Sequence, residues 1–205
     1  MGNTFVAGER WVDAEACYAK AIAIDPTDTA SLINLGFVLV EQKRMTEAIP
    51  FLSRAVSADP SAFDAYYFLG RVHVEMGHPN EAIAQFEKAL VAKPDFEAAL
   101  HDLCQTLLNT RRIGEAKAAA EKGVIRYPGS ADFFYYLGTT QNDAREFNAA
   151  VDSFAKALSI VPGYPDVHNN LGTSRLELGD LDAAVECFDH AISLPFCHML
   201  EKMMA

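Results

Sequence analysis

Six histidines, four cysteines and 28 aspartates and glutamates are the residues of this chain that could do acid–base, nucleophilic or metal chemistry. A metal needs several ligands converging on one ion, which in sequence appears as a short fixed spacing such as HExxH or CxxC. The histidines His73, His78, His101, His168, His190 and His198 share no such spacing, and Cys17, Cys104, Cys187 and Cys197 form no CxxC. Cys197-His198 comes nearest to a metal pair. A cysteine nucleophile needs a base beside it; none can be assigned to Cys104, which reads as a small packing residue. Glycine-rich phosphate loops and GxSxG elbows are missing as well. The carboxylates have no enclosing pocket to move their pKa values, so the sequence reads as non-catalytic, with no metal and no cofactor.

Charge narrows the partners. Seventeen lysines and arginines against 28 acids leave a formal charge of −11. A nucleic-acid binder must gather positive charge to release counterions from phosphates, and this chain has little to gather. An anionic membrane surface is excluded by the same argument. The longest apolar stretch runs only from Thr29 to Val40, well short of the roughly 18 to 20 residues of a span. With isolated thiols and no basic, apolar leader at the N-terminus, the expected compartment is the cytoplasm.

What positions the polar residues is a repeat. Alanine recurs at Ala14, Ala48, Ala82, Ala116, Ala150 and Ala184, in steps of 34 residues, and proline follows the same step at Pro26, Pro60, Pro94, Pro128 and Pro162. Leu-Gly pairs stand in register at Leu35-Gly36, Leu69-Gly70, Leu137-Gly138 and Leu171-Gly172, with Leu103-Cys104 in the remaining copy. Within the segment 63–96, Tyr66, Leu69, Gly70, His73 and Val74 mark one face of a helix, and Gly77-His78-Pro79-Asn80 breaks it. Ala82, Ile83, Phe86, Ala89 and Leu90 mark a second helix, which Pro94 ends. Each copy is a helical hairpin that buries its apolar face only by stacking on its neighbours. The larger residues Tyr18, Leu52, Phe86, Phe154 and Phe188 are expected to fill the space between successive hairpins.

The order Tyr66-x-x-Leu69-Gly70-x-x-His73, then Ala82-x-x-x-Phe86, Ala89 and Pro94, resembles the tetratricopeptide repeat of bacterial-type proteins. The resemblance covers nearly the whole chain. It implies an all-α fold, a right-handed α-solenoid of tandem 34-residue helix-turn-helix repeats, whose first helices line a concave groove for peptides or partner proteins. The expected organisation is one domain over 1–196, with a partial copy at 1–28, copies at 29–62, 63–96, 97–130, 131–164 and 165–196, and an apolar tail at 197–205. The first copy lacks the opening turns of its first helix. Cys104, Ala120 and Gly123 make copy four the expected soft joint. After Ile192 the register slips, Pro195 coming early and Phe196 taking the proline position.

Read in register, the first helices place Asn34, Phe37 and Glu41; Tyr67, Phe68, Arg71 and Glu75; His101 and Asp102; Tyr135, Tyr136 and Asp143; and Asn170 on the groove. Across the full set of register positions there are eight carboxylates against one arginine. Two readings stand: a groove selective for basic, extended segments, or a merely solvated acidic face. The adjacent aromatics leave two readings also, interface anchors or, for Phe68 and Tyr136, packing between helices. Asn34 and Asn170 share a phase and are similar to rungs of the asparagine ladder in O-linked N-acetylglucosamine transferases. Phe68, Asp102 and Tyr136 stand where the other rungs would be.

The function expected is a non-catalytic scaffold or adaptor that binds a protein or peptide. The alternative is the substrate-recruiting repeat region of a larger enzyme such as a glycosyltransferase. Self-association through the apolar tail or the incomplete first repeat is a further expectation.

Overall fold

The structure, a computed structural model, describes residues 10–193. The clipped opening of the first copy, the slip at Pro195 and Phe196, the apolar tail and Cys197-His198 all lie outside the described residues. Among those described, every regular element is an α-helix. After α1 (Trp11–Ile24) come the pairs α2 (Thr29–Glu41) with α3 (Met45–Ala58) and α4 (Phe63–Glu75) with α5 (Pro79–Ala92). They are followed by α6 (Glu97–Asn109) with α7 (Ile113–Arg126), α8 (Ala131–Asp143) with α9 (Phe147–Ile160), and α10 (Pro165–Glu177) with α11 (Leu181–Ser193). The fold is thus an all-α array of tandem helical hairpins.

The recurring prolines set where second helices stop. A residue before proline is pushed out of the helical region by the ring's Cδ. Asp25, Asp59 and Lys93 accordingly take φ between −125° and −137° with ψ of 91° to 98°. Asp59 then accepts from the Ser61 amide at 2.8 Å and the Ser61 hydroxyl at 2.6 Å, bracing the turn into the next hairpin.

Turns inside hairpins rest on one left-handed residue. Gly77 (φ 74°) and Gly179 (φ 82°) occupy it without strain, but Lys43 (φ 59°), Arg111 (φ 59°) and Arg145 (φ 61°) occupy it too. A side chain there costs about 1 kcal/mol. The next amide still closes the helix, as Arg44 N does on the Leu39 carbonyl at 2.9 Å.

Packing divides the chain into two compact units, Met1–Thr106 and Leu107–Ala205, with the boundary inside α6. In the first, Leu52 lies over Gly36 and the Phe86 ring over Gly70; in the second, Phe154 lies over Gly138 and Phe188 over Gly172. These side chains therefore fill the gap within one hairpin, correcting the expectation that they sit between successive hairpins. At the glycine the opposing side chain occupies the space between the two helices of a pair, and a Cβ there would overlap it. Copy four reverses the sizes: Cys104 stands at the glycine position and Ala120 at the aromatic one, both fully buried.

Gly123 is small for another reason. Phe133, fully buried, takes a position that the other copies give to Ser31, Ala65, Ala99 and Val167. Its ring lies against the Gly123 backbone and stacks on Tyr127 with centroids 5.5 Å apart. The α7–α8 contact has exchanged an alanine for glycine to admit a phenylalanine.

Candidate functional site

In the first unit, α2, α4 and the start of α6 carry a lane of touching rings. Trp11 of α1 meets Phe37 at 6.2 Å between centroids, Phe37 meets Phe68 at 5.2 Å, and Phe68 meets Tyr67 at 5.5 Å. Tyr67 then meets Phe96 edge-on at 5.0 Å and leans on Phe86 at 6.0 Å. All but Phe86 are half-buried, so each ring keeps some area accessible to solvent. Phe68 packs between Phe37 and Tyr67 and is half-buried.

Charges on this face are paired. Arg71 reaches Glu41 at 3.1 Å, and Lys43, from the left-handed turn position, reaches Glu75 at 3.4 Å. His101 Nδ1 lies 3.1 Å from the Asp102 carboxylate, whose charge acts on the nearby Tyr67 phenol. Burial, and then the Asp102 charge, push the Tyr67 phenol up to about 12. Asn34 stands half-buried beside this lane on α2.

The second unit offers a different face. Tyr135 is half-buried and stacks on Tyr164 at 5.4 Å, while Tyr164 donates to Asp132 at 2.8 Å and its phenol is driven far above the ordinary range by burial. Tyr136 is only 5% exposed and packs on Phe133 at 6.4 Å, so its ring is core and leaves the groove set. Asn142 donates to the Asn170 carbonyl at 3.2 Å and accepts from Ser174 at 2.7 Å; the Asn170 amide in turn reaches Thr139 at 3.4 Å. Asp143 is held by Arg111 at 3.3 Å, the same turn-to-helix bridge that Lys43 makes.

Sequence reasoning overlooked Lys43, Arg111, Trp11 and Tyr164. The two cations sit in turns, off the helix periodicity; their signal is that non-glycine residues share the register of Gly77 and Gly179. Glu75 and Asp143, which the sequence places on the groove, each have one of these exposed cations within ion-pair distance, at 3.4 and 3.3 Å.

Among the described residues no group of three or more His, Cys, Asp or Glu could hold a metal ion. No helix described is long and apolar enough to cross a membrane. Burial pushes the Cys104 thiol up to about 12, which removes the thiolate a nucleophile needs.

Raised phenol pKa values make alkaline stability a readout of the lane. Tyrosine in an unfolded chain ionises near pH 10. Tyr67, held up to about 12 when folded, keeps a proton that the unfolded chain has released across that interval. Stability is intact below the window and falls as pH rises through it. Urea unfolding at pH 9 and pH 11.5 is expected to show a smaller alkaline loss for Tyr67→Phe than for the parent chain. Equal losses would remove Tyr67 from this titration.

Models of the tetratricopeptide repeat match residues 27–93, 73–135 and 165–196. The chain belongs to the tetratricopeptide repeat family. Among solved structures it is similar to YrrB, described as a tetratricopeptide repeat protein with an unusual peptide-binding site. The two are 26% identical with a TM-score of 0.77, over 89% of this chain and 94% of that one. MamA follows at 24% identity and TM-score 0.74, covering 80% and 90% of the two chains. PilF of Pseudomonas aeruginosa stands at 22% and 0.68, covering 80% and 75%. At those identities the last two show the shared fold alone. No curated protein is matched by sequence. A tetratricopeptide repeat array is in general a protein-interaction scaffold, because its stacked first helices expose a regular face with no enclosed pocket.

Proposed function

We propose that this tetratricopeptide repeat protein is a non-catalytic adaptor that holds an extended segment of a partner protein against its first-helix faces. The observation that carries this reading is the ring lane from Trp11 through Phe37 and Phe68 to Tyr67, half-buried along its length. Aromatic rings already fixed by packing lose little entropy when an apolar side chain settles on them, which makes them efficient anchors. In the second unit the Thr139, Asn142 and Asn170 network supplies amides beside half-buried Tyr135, suited to a partner's main chain. YrrB, the relative at 26% identity, is described by its peptide-binding site, and that supports the same use of this fold.

Preference for basic segments is narrower than the acid count implies. With Glu41, Glu75 and Asp143 beside lysine or arginine, a partner's cation in the first unit would meet Asp102, whose neighbour His101 carries charge only when protonated.

A photo-crosslinking amino acid at Glu75 or Asn169, both exposed on first helices, is expected to trap partner polypeptides. The same group at exposed Lys88 or Asp152 on second helices is expected to trap far less. Crosslinks confined to the second-helix positions would refute the groove.

A further inference from the structure

Helix α11 repeats the second-helix pattern with its outer face bare. Leu181 is 60% exposed, Val185 58% and Ile192 82%. At the equivalent places in α3 and α9, Met45 and Phe147, Ile49 and Val151, and Val56 and Leu158 are all at most half-exposed, because α4 and α10 pack beside those helices. Phe188 shows the same contrast, being half-buried where Leu52, Phe86 and Phe154 are fully buried. On α11 itself Leu181, Val185, Phe188 and Ile192 stand at steps of four, three and four, the Phe188 ring reaching inward over Gly172 and the others exposed, with exposed Leu178 in the turn before the helix. That spacing is the seam by which one helix packs lengthwise on another.

A second feature distinguishes this helix. Asp182, Glu186 and Asp189 form an exposed acidic row alongside the seam. The same places hold Thr46, Pro50 and Ser53 in α3, Asn80, Ala84 and Glu87 in α5, Gly114, Ala118 and Glu121 in α7, and Asn148, Asp152 and Ala155 in α9. No earlier second helix carries more than one acid there. Helix α11 contains no lysine or arginine.

We propose that this face docks an amphipathic helix of another protein, one with an apolar seam of three-and-four spacing and lysines or arginines along one flank. The seam supplies area and the acidic row selects the flank. A second copy fits poorly, since it is itself at −11 and brings three more carboxylates to the contact with no permanent cation on its α11. The chain's own segment 194–205 carries one glutamate, Glu201, and one lysine, Lys202, so it does not answer the acidic row either.

The probes are two synthetic 21-residue helices with the same leucine seam, one flanked by lysines and one by glutamates, titrated against the full chain by fluorescence anisotropy. The lysine helix is expected to bind at least tenfold tighter. Val185→Asp, a change at an exposed position that leaves circular dichroism unaltered, should abolish this binding. Asp182→Lys with Glu186→Lys and Asp189→Lys should reverse the preference between the helices. Equal affinity for both, or binding indifferent to Val185→Asp, would overturn the proposal. Absence of binding would overturn it as well, as would a dimer of the full chain that Val185→Asp dissociates, which would assign the face to a second copy.

Discussion

Gly123→Ala is expected to destabilise the second unit by about 3 kcal/mol, near the upper end for overpacking a close-packed core. A Cβ at this position would overlap Cγ and Cδ1 of Phe133, the root of the ring, which cannot swing aside as the tip of a flexible side chain could. Tyr127 stacks on the same ring and restricts its movement further. Phe133→Ala alone would leave a void, costing about 3–5 kcal/mol. The double substitution recreates the alanine pairs that other joints already use, Ala55 with Ala65 and Ala89 with Ala99, all fully buried. It should therefore be more stable than the sum of the single losses allows, with a coupling of about 1–3 kcal/mol. Chemical denaturation of the three variants measures this. Strict additivity would mean that the two residues do not share the site.

Phe86→Ala is expected to cost about 3–5 kcal/mol and to blunt partner binding by loosening the lane it supports. The ring is fully buried over Gly70, and glycine offers no side chain with which to fill the space vacated. Tyr67 leans on Phe86 at 6.0 Å, so the same truncation withdraws support from the half-buried ring proposed as an anchor. Val91→Ser on the same helix serves as the comparison, since Val91 is 83% exposed and should change stability little. Loss of binding in Phe86→Ala at temperatures where helicity is retained would tie the lane to its buried support. Unaltered stability would contradict the packing described.

The glycine under Phe86 recurs with the repeat and can be read directly. Gly123 breaks the repeat and reads as a defect until the structure sets Phe133 against it. A departure in one helix has its compensation ten residues later in the next helix, and periodicity alone does not pair the two.

By itself the sequence determined the helical hairpins, their order and their register, because a 34-residue period of small, aromatic and proline positions leaves little freedom in how each hairpin is built. It also placed the candidate groove residues on the first helices. Only the tertiary structure decided which of these remain available. Tyr136 goes to the core while Tyr135 keeps an open side, because neighbouring positions on a helix differ by about 100° and the packing of the next helix selects one of them. The face charge was decided in the same way, since Lys43 and Arg111 reach Glu75 and Asp143 from turns 32 residues earlier, contacts that depend on how hairpins stack.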